Sequence, residues 1–191
     1  MPNQTNRSAF SFHRHIALIV ISIGTLASAS HAETDFTQGT REFSLTAGFV
    51  NERSGEDRNL TFITAGWGKY FIDNAVAEFQ IQGIYSHDDE NGYGGLVGGA
   101  LRYHFINRDW FSFFGEFQGG AMWTSEDFPT GGTELNFTYS GGPGATIRLR
   151  KGLYLIGEFR FQHVSNAFIE GRDRNPIFNS FGGYIGLMWT H

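Results

Sequence analysis

Ala77-Glu-Phe-Gln-Ile-Gln-Gly-Ile-Tyr-Ser86 puts Ala77, Phe79, Ile81, Gly83 and Tyr85 on one parity and Glu78, Gln80, Gln82 and Ser86 on the other. Successive side chains of a strand point to opposite faces, so this run is extended chain with one apolar and one polar face. Downstream, after the loop His87-Asp-Asp-Glu-Asn-Gly92, a fourth strand sets Val97, Gly99, Leu101, Tyr103 and Phe105 against Arg102 and His104. Past the turn Asn107-Arg-Asp109, a fifth sets Phe111, Phe113, Phe117, Ala121 and Trp123 against Ser112, Glu116 and Gln118.

Upstream, Glu42 to Val50 carries Phe43, Leu45, Ala47 and Phe49 opposite Ser44, Thr46 and Gly48. Strand two, Leu60 to Tyr70, leaves both registers open, because Ile63, Ala65 and Trp67 oppose Leu60 and Phe62. Beyond the polar, Gly-rich loop Ser125 to Glu134, a sixth strand alternates Leu135, Phe137, Tyr139, Ala145, Ile147 and Leu149 with Asn136, Thr138, Ser140, Thr146 and Arg148. Pro143 within it removes a ladder donor and predicts a bulge. Strands seven, Leu153 to Asn166, and eight, Asn179 to Trp189, complete the set.

The connections after strands two, four and six are short, while those after one, three, five and seven are long and polar. An even number of strands with short turns at one end and long loops at the other predicts an all-β, eight-stranded antiparallel transmembrane β-barrel of the bacterial outer-membrane kind. A soluble, ligand-holding barrel would instead turn its apolar face inward. Here the mixed face holds Glu78, Glu116 and Glu158 with Arg102, Arg148 and Arg160, charges that can pair within a narrow lumen, so the apolar face is expected to meet lipid. Composition agrees: 26 Gly and 20 Phe against 4 Pro is a barrel's usage rather than a soluble domain's.

Residues 1–32 read as a cleaved signal peptide: Arg7 and Arg14, an apolar core from Ile16 to Ile23, then Ser30-His-Ala32 as a small-residue cleavage site. That core is well short of the ~20 residues a spanning helix needs. Residues 33–191 form the barrel domain, with a charge of −7 once 2 of 14 basic and none of 19 acidic residues are removed. No basic patch invites nucleic acid, and zero cysteines exclude disulfides and thiol chemistry. The mature histidines, His87, His104, His163 and His191, show no metal-ligand spacing, and neither metal nor other cofactor is expected. His104 is expected to hydrogen-bond inside the lumen.

Against this background, Phe159-Arg-Phe-Gln-His-Val-Ser-Asn-Ala167 places His163 and Ser165 side by side on an apolar face. A serine hydroxyl needs a base within hydrogen-bond reach to act as a nucleophile, and a third group to fix that base's tautomer. Asn179, at the start of strand eight and on the same face as Phe181, Ile185, Leu187 and Trp189, can supply it. A polar pair on a lipid-facing wall costs about 1–3 kcal/mol per unpaired group, so its presence asks for a reason.

The signal, the eight-strand layout and His163-Val-Ser165-Asn166-Ala167 together resemble the outer-membrane lipid A 3-O-deacylases, the PagL family of acyloxyacyl hydrolase-type enzymes. The resemblance covers the mature chain by layout and is specific from Phe159 onward. It implies His163 as base, Ser165 as nucleophile, and Asn166 with the backbone N–H of Phe168 as oxyanion donors. The family's founding members carry a glutamate where this chain has Asn179, so lower activity is expected, with Glu170 and Asp173 as alternative third members.

The expected activity is a serine carboxylic ester hydrolase of the bacterial outer membrane that removes the 3-O-acyl chain of lipid A. Its partners are lipid A as substrate, the surrounding outer-membrane lipid and, in principle, a second copy in a homodimer. Two alternatives stand beside it: a non-catalytic eight-stranded barrel, and an acyl hydrolase resembling outer-membrane phospholipase A, which also pairs a His-x-Ser with asparagine. That enzyme's twelve strands exceed what about 159 residues hold.

Overall fold

A computed structural model describes residues 35–191, and the expected signal peptide lies outside them. Eight strands follow in order: β1 Arg41–Glu52, β2 Asn59–Ile72, β3 Ala75–His87, β4 Gly92–Asn107, β5 Phe111–Phe128, β6 Thr133–Arg150, β7 Leu153–Ser165 and β8 Phe178–Thr190. Each pairs antiparallel with its neighbour, and β8 returns to β1, closing the barrel without a free edge. Strand seven ends at Ser165, so Asn166 begins the loop rather than closing the strand.

The alternation places side chains as expected on seven strands and resolves the eighth. In β2, Leu60, Phe62, Thr64 and Tyr70 point inward, while Ile63 and Trp67 point out. Pro143 does not make a bulge: it pairs with Gly115, and the β6–β7 ladder merely lapses at Gly142 and Pro143 before resuming in the same register. Shifts of register fall instead at the strand ends, between Tyr70 and Ile72, His104 and Ile106, Trp123 and Phe128, and Arg148 and Arg150. The polar stretch 125–134 is not all loop, since β5 and β6 continue into it and leave only residues 129–132 as the connection.

The outer wall is a continuous apolar surface, with Leu45, Ile63, Phe79, Leu101, Phe117, Ile147, Phe159 and Ile185 all exposed. Near the short-turn end, Phe43 contacts both Trp67 and Trp189, and Trp67 contacts Phe79, at centroid distances of 5.5, 5.6 and 6.4 Å. Such aromatic girdles stand at membrane interfaces.

Inside, two apolar plugs bracket an ionic layer. Val50, Leu60, Phe62, Ile84, Leu96, Met122, Phe128, Val164 and Phe178 fill the long-loop end. Phe36, Tyr70, Val76, Phe114, Tyr154, Ile156 and Met188 fill the other. Between them Arg102 contacts Glu42 at 2.8 Å, Glu78 at 3.2 Å and Glu116 at 2.7 Å, and Arg160 contacts Glu116 and Glu158, each at 3.0 Å. Arg148 does not join this layer; it pairs with Asp35 at the short-turn mouth. Gly66 points inward, and a Cβ there would collide with the Glu78 carboxylate, so the residue leaves room for the ions. Removing either arginine alone would strand buried carboxylates at a cost of about 3–5 kcal/mol.

Candidate active site

The site lies where β6, β7, β8 and the end of β1 meet on the outer wall. Antiparallel pairing sets His163 opposite Asn179 on one side and Tyr139 on the other, and places Ser165 opposite Phe137. Paired residues share a face, so all of these groups face outward with Phe159 and Phe161. His163, Ser165 and Asn179 are half-buried.

The three polar groups form a continuous chain. The Nδ1 of His163 is 2.8 Å from the Oδ1 of Asn179, and its Nε2 is 3.1 Å from the Ser165 Oγ. An amide oxygen can only accept, so Nδ1 carries the proton and donates it to Asn179. Nε2 is thereby left with a lone pair to accept the serine's hydrogen, the tautomer a general base requires.

Tyr139 completes the surroundings in a way the alternation pattern does not announce. Its ring stacks on the imidazole, with centroids 4.7 Å apart and planes 24° apart. A π face attracts a cation placed over it, so the ring is positioned to meet an imidazolium formed transiently in a reaction. The signal for it is the β6–β7 register, which parity within a single strand does not contain.

The loop after Ser165 is tightly organised. Asn166 is buried; its Nδ2 donates to the Arg174 carbonyl at 2.5 Å, and its backbone N–H donates to the Asn175 Oδ1 at 2.8 Å. Its Oδ1 accepts from the Phe168 N–H at 2.9 Å. The two expected oxyanion donors are thus brought together, but in this conformation they bond to each other and to the loop rather than standing open. Ala167 and Phe168 both hold positive φ, 53° and 64°, a backbone conformation that is costly for residues with a Cβ.

Neither alternative third member reaches the imidazole. Glu170 is engaged by Arg174 at 2.7 Å, and Asp173 is exposed with no bond to His163. Arg174 also donates to the Gly132 carbonyl at 2.8 Å and contacts Asp127 at 3.2 Å, bracing the loop against the β5–β6 hairpin. A second histidine–serine pair, His104 with Ser112 at 2.7 Å, sits fully buried in the lumen, with Tyr70 3.3 Å from His104. It has no access to a substrate and is the interior hydrogen bonder expected of His104. Among the described residues no group of histidine and carboxylate side chains is arranged to hold a metal ion.

A closed, internally filled eight-stranded barrel of outer-membrane type, with a hydrogen-bonded serine–histidine–asparagine chain on its outer wall, is the class of protein these features define. The family model for lipid A 3-O-deacylase (PagL) matches residues 77–188, from β3 to β8 and across the whole site, and the chain belongs to that family. No curated protein matches the sequence closely enough to count as a relative.

Among solved structures, Neisserial surface protein A is 11% identical with a TM-score of 0.51, covering 79% of this chain and 94% of its own. The N-terminal β-barrel domain of Pseudomonas aeruginosa OprF is 13% identical with a TM-score of 0.50, covering 81% and 98%. Outer membrane protein AlkL, solved in lipid bilayers, is 9% identical with a TM-score of 0.50, covering 86% and 95%. At these identities the likeness is one of fold.

Proposed function

We propose that the protein is a serine esterase of the bacterial outer membrane that removes the ester-linked 3-O-acyl chain of lipid A. The observation that carries this reading is the unbroken chain Ser165–His163–Asn179 on a wall that faces hydrocarbon, in a chain of the lipid A 3-O-deacylase family. A lipid substrate can then be reached sideways, without leaving the membrane.

In the reaction, the Ser165 Oγ attacks the ester carbonyl while Nε2 of His163 takes its proton. The imidazolium returns that proton to the sugar oxygen as the C–O bond breaks, leaving an acyl group on Ser165. Water, deprotonated by the same Nε2, then releases the fatty acid and restores the serine. Asn179 holds the ring in register throughout by accepting from Nδ1. Oxyanion stabilisation by Asn166 and the Phe168 N–H requires the loop to open one of their present bonds, after which each donor is worth about 3–4 kcal/mol.

The test is the mass of lipid A from bacteria expressing the chain. Loss of one 3-linked hydroxyacyl chain, absent with Ser165→Ala, is the expected result. Unchanged lipid A from a folded barrel would favour a non-catalytic envelope protein, and lysophospholipid in place of deacylated lipid A would favour phospholipase chemistry.

A further inference from the structure

The outward row of paired residues that contains the site also climbs the barrel. It runs Phe43, Trp67, Phe79, Gly99, Gly119, Tyr139, His163, Asn179, each opposite the next on the neighbouring strand. It returns to the first strand's chain at Arg53, whose N–H donates to the Asn179 carbonyl at 2.8 Å. Arg53 is ten residues beyond Phe43, where the row began, so the row rises toward the long-loop end. Arg53 therefore stands about two strand spacings, roughly 10 Å, from His163 and farther from the hydrocarbon.

Arg53 is exposed, and among the described residues its guanidinium has no carboxylate or carbonyl partner. The contrast with its neighbours is informative. Arg58 is held by Glu52 and Glu56, and Arg174 by Glu170 and Asp127. Glu56, Asp57, Asp88 and Asp89 lie in the same set of loops, yet the arginine whose backbone is pinned beside the site is left open. A guanidinium's planar fork matches a phosphate through two parallel N–H···O bonds, and the interaction strengthens where water is partly excluded at the membrane surface.

We propose that Arg53 binds a phosphate group on the sugar headgroup of the substrate, and so selects phosphorylated glycolipids over other acyl esters. This rests on the reading of Ser165 as the nucleophile toward a lipid A ester. A phosphate on the sugar that bears the scissile ester would lie above the acyl layer, at the long-loop end of the barrel where Arg53 stands.

Binding and turnover test it separately. In the full chain carrying Ser165→Ala, held in uncharged detergent, Arg53→Gln is expected to weaken binding of bisphosphorylated lipid A about tenfold. Binding of dephosphorylated lipid A should fall far less, and Arg53→Lys should recover part of the loss. In the active protein, Arg53→Gln should raise KM for the phosphorylated lipid and lower its rate advantage over the dephosphorylated one about tenfold. Equal weakening toward both lipids, or none, overturns the proposal. Displacement of the lipid by millimolar inorganic phosphate would mark a free-anion site and also overturn it. Selective loss of phosphorylated-lipid binding, with no ester cleavage by the wild-type protein, would keep Arg53 and reject the esterase.

Discussion

The Tyr139 ring covers one face of the His163 imidazole, 4.7 Å centroid to centroid, while Asn179 holds its edge through Nδ1 at 2.8 Å. In the proposed reaction the first contact is expected to offset a shortfall in the second. An amide orients the ring but brings no negative charge to balance imidazolium, whereas an aromatic face attracts a cation by about 0.5–2 kcal/mol. Tyr139→Leu is expected to lower kcat about fivefold, and Tyr139→Phe to keep most of the wild-type rate, because the π face and not the hydroxyl is used. Equal losses in both variants, or a matching drop in melting temperature, would mean the ring only packs.

On the proposed mechanism, the amide at position 179 is expected to limit the rate and a carboxylate there to raise it. A hydrogen bond to a charged group is stronger than one between neutral groups by about 1 kcal/mol or more, and imidazolium forms only on the way to the transition state. Asn179→Glu is therefore expected to raise kcat roughly tenfold with little change in KM, and Asn179→Ala to lower it by at least as much. Glu170→Gln should leave kcat unaltered, since Glu170 is committed to Arg174. A rate gain from neither Glu nor Asp at position 179 would remove Asn179 from the role of orienting group.

Much of this arrangement is legible along single strands and little of it between them. Parity puts His163 and Ser165 on the apolar face of one strand and Asn179 on that of the next, the sorting of charge turns those faces outward, and loop lengths tell the two ends of the barrel apart. The facing of β2 escapes that logic because Leu60, Phe62 and Tyr70 are apolar and yet point inward, where a filled lumen needs plugs at both ends of its ionic layer. A rule that sends the mixed face inward does not foresee apolar plugs. Tyr139 is hidden for another reason: its meeting with His163 depends on the β6–β7 register, set at the Lys151–Gly152 turn and the shift beside Arg150. The family resemblance implies Asn166 as an oxyanion donor, and only the folded loop shows its amide engaged by the Arg174 carbonyl and the Phe168 N–H. Pro143 predicts a bulge from its missing N–H, but a two-residue lapse in one ladder accommodates it while the other ladder holds.

At the opposite end of the barrel from the site, Asp35 ties the start of the described chain to the β6–β7 turn. Its carboxylate accepts from the Tyr154 hydroxyl at 2.7 Å, the Gly152 N–H at 3.1 Å and Arg148 at 3.2 Å. Next to it Phe36 plugs the lumen, stacking on His104 at 4.1 Å. Partial burial alone would raise the Asp35 pKa, but the bonds from Tyr154 and Gly152 and the charge of Arg148 outweigh it and hold the carboxyl below its usual range. A carboxyl whose pKa is lower in the folded state contributes stability that is present above its unfolded pKa and lost as pH falls through the folded one. The Asp35 tie should thus be fully present at neutral pH and weaken only below about pH 4. Asp35→Asn should lower the melting temperature at pH 7 and flatten its fall on acidification, and it should loosen the Phe36 plug, read as faster cleavage by protease at the short-turn end. An acid limb as steep in Asp35→Asn as in the wild type would assign that limb to other carboxylates and leave Asp35 without this part.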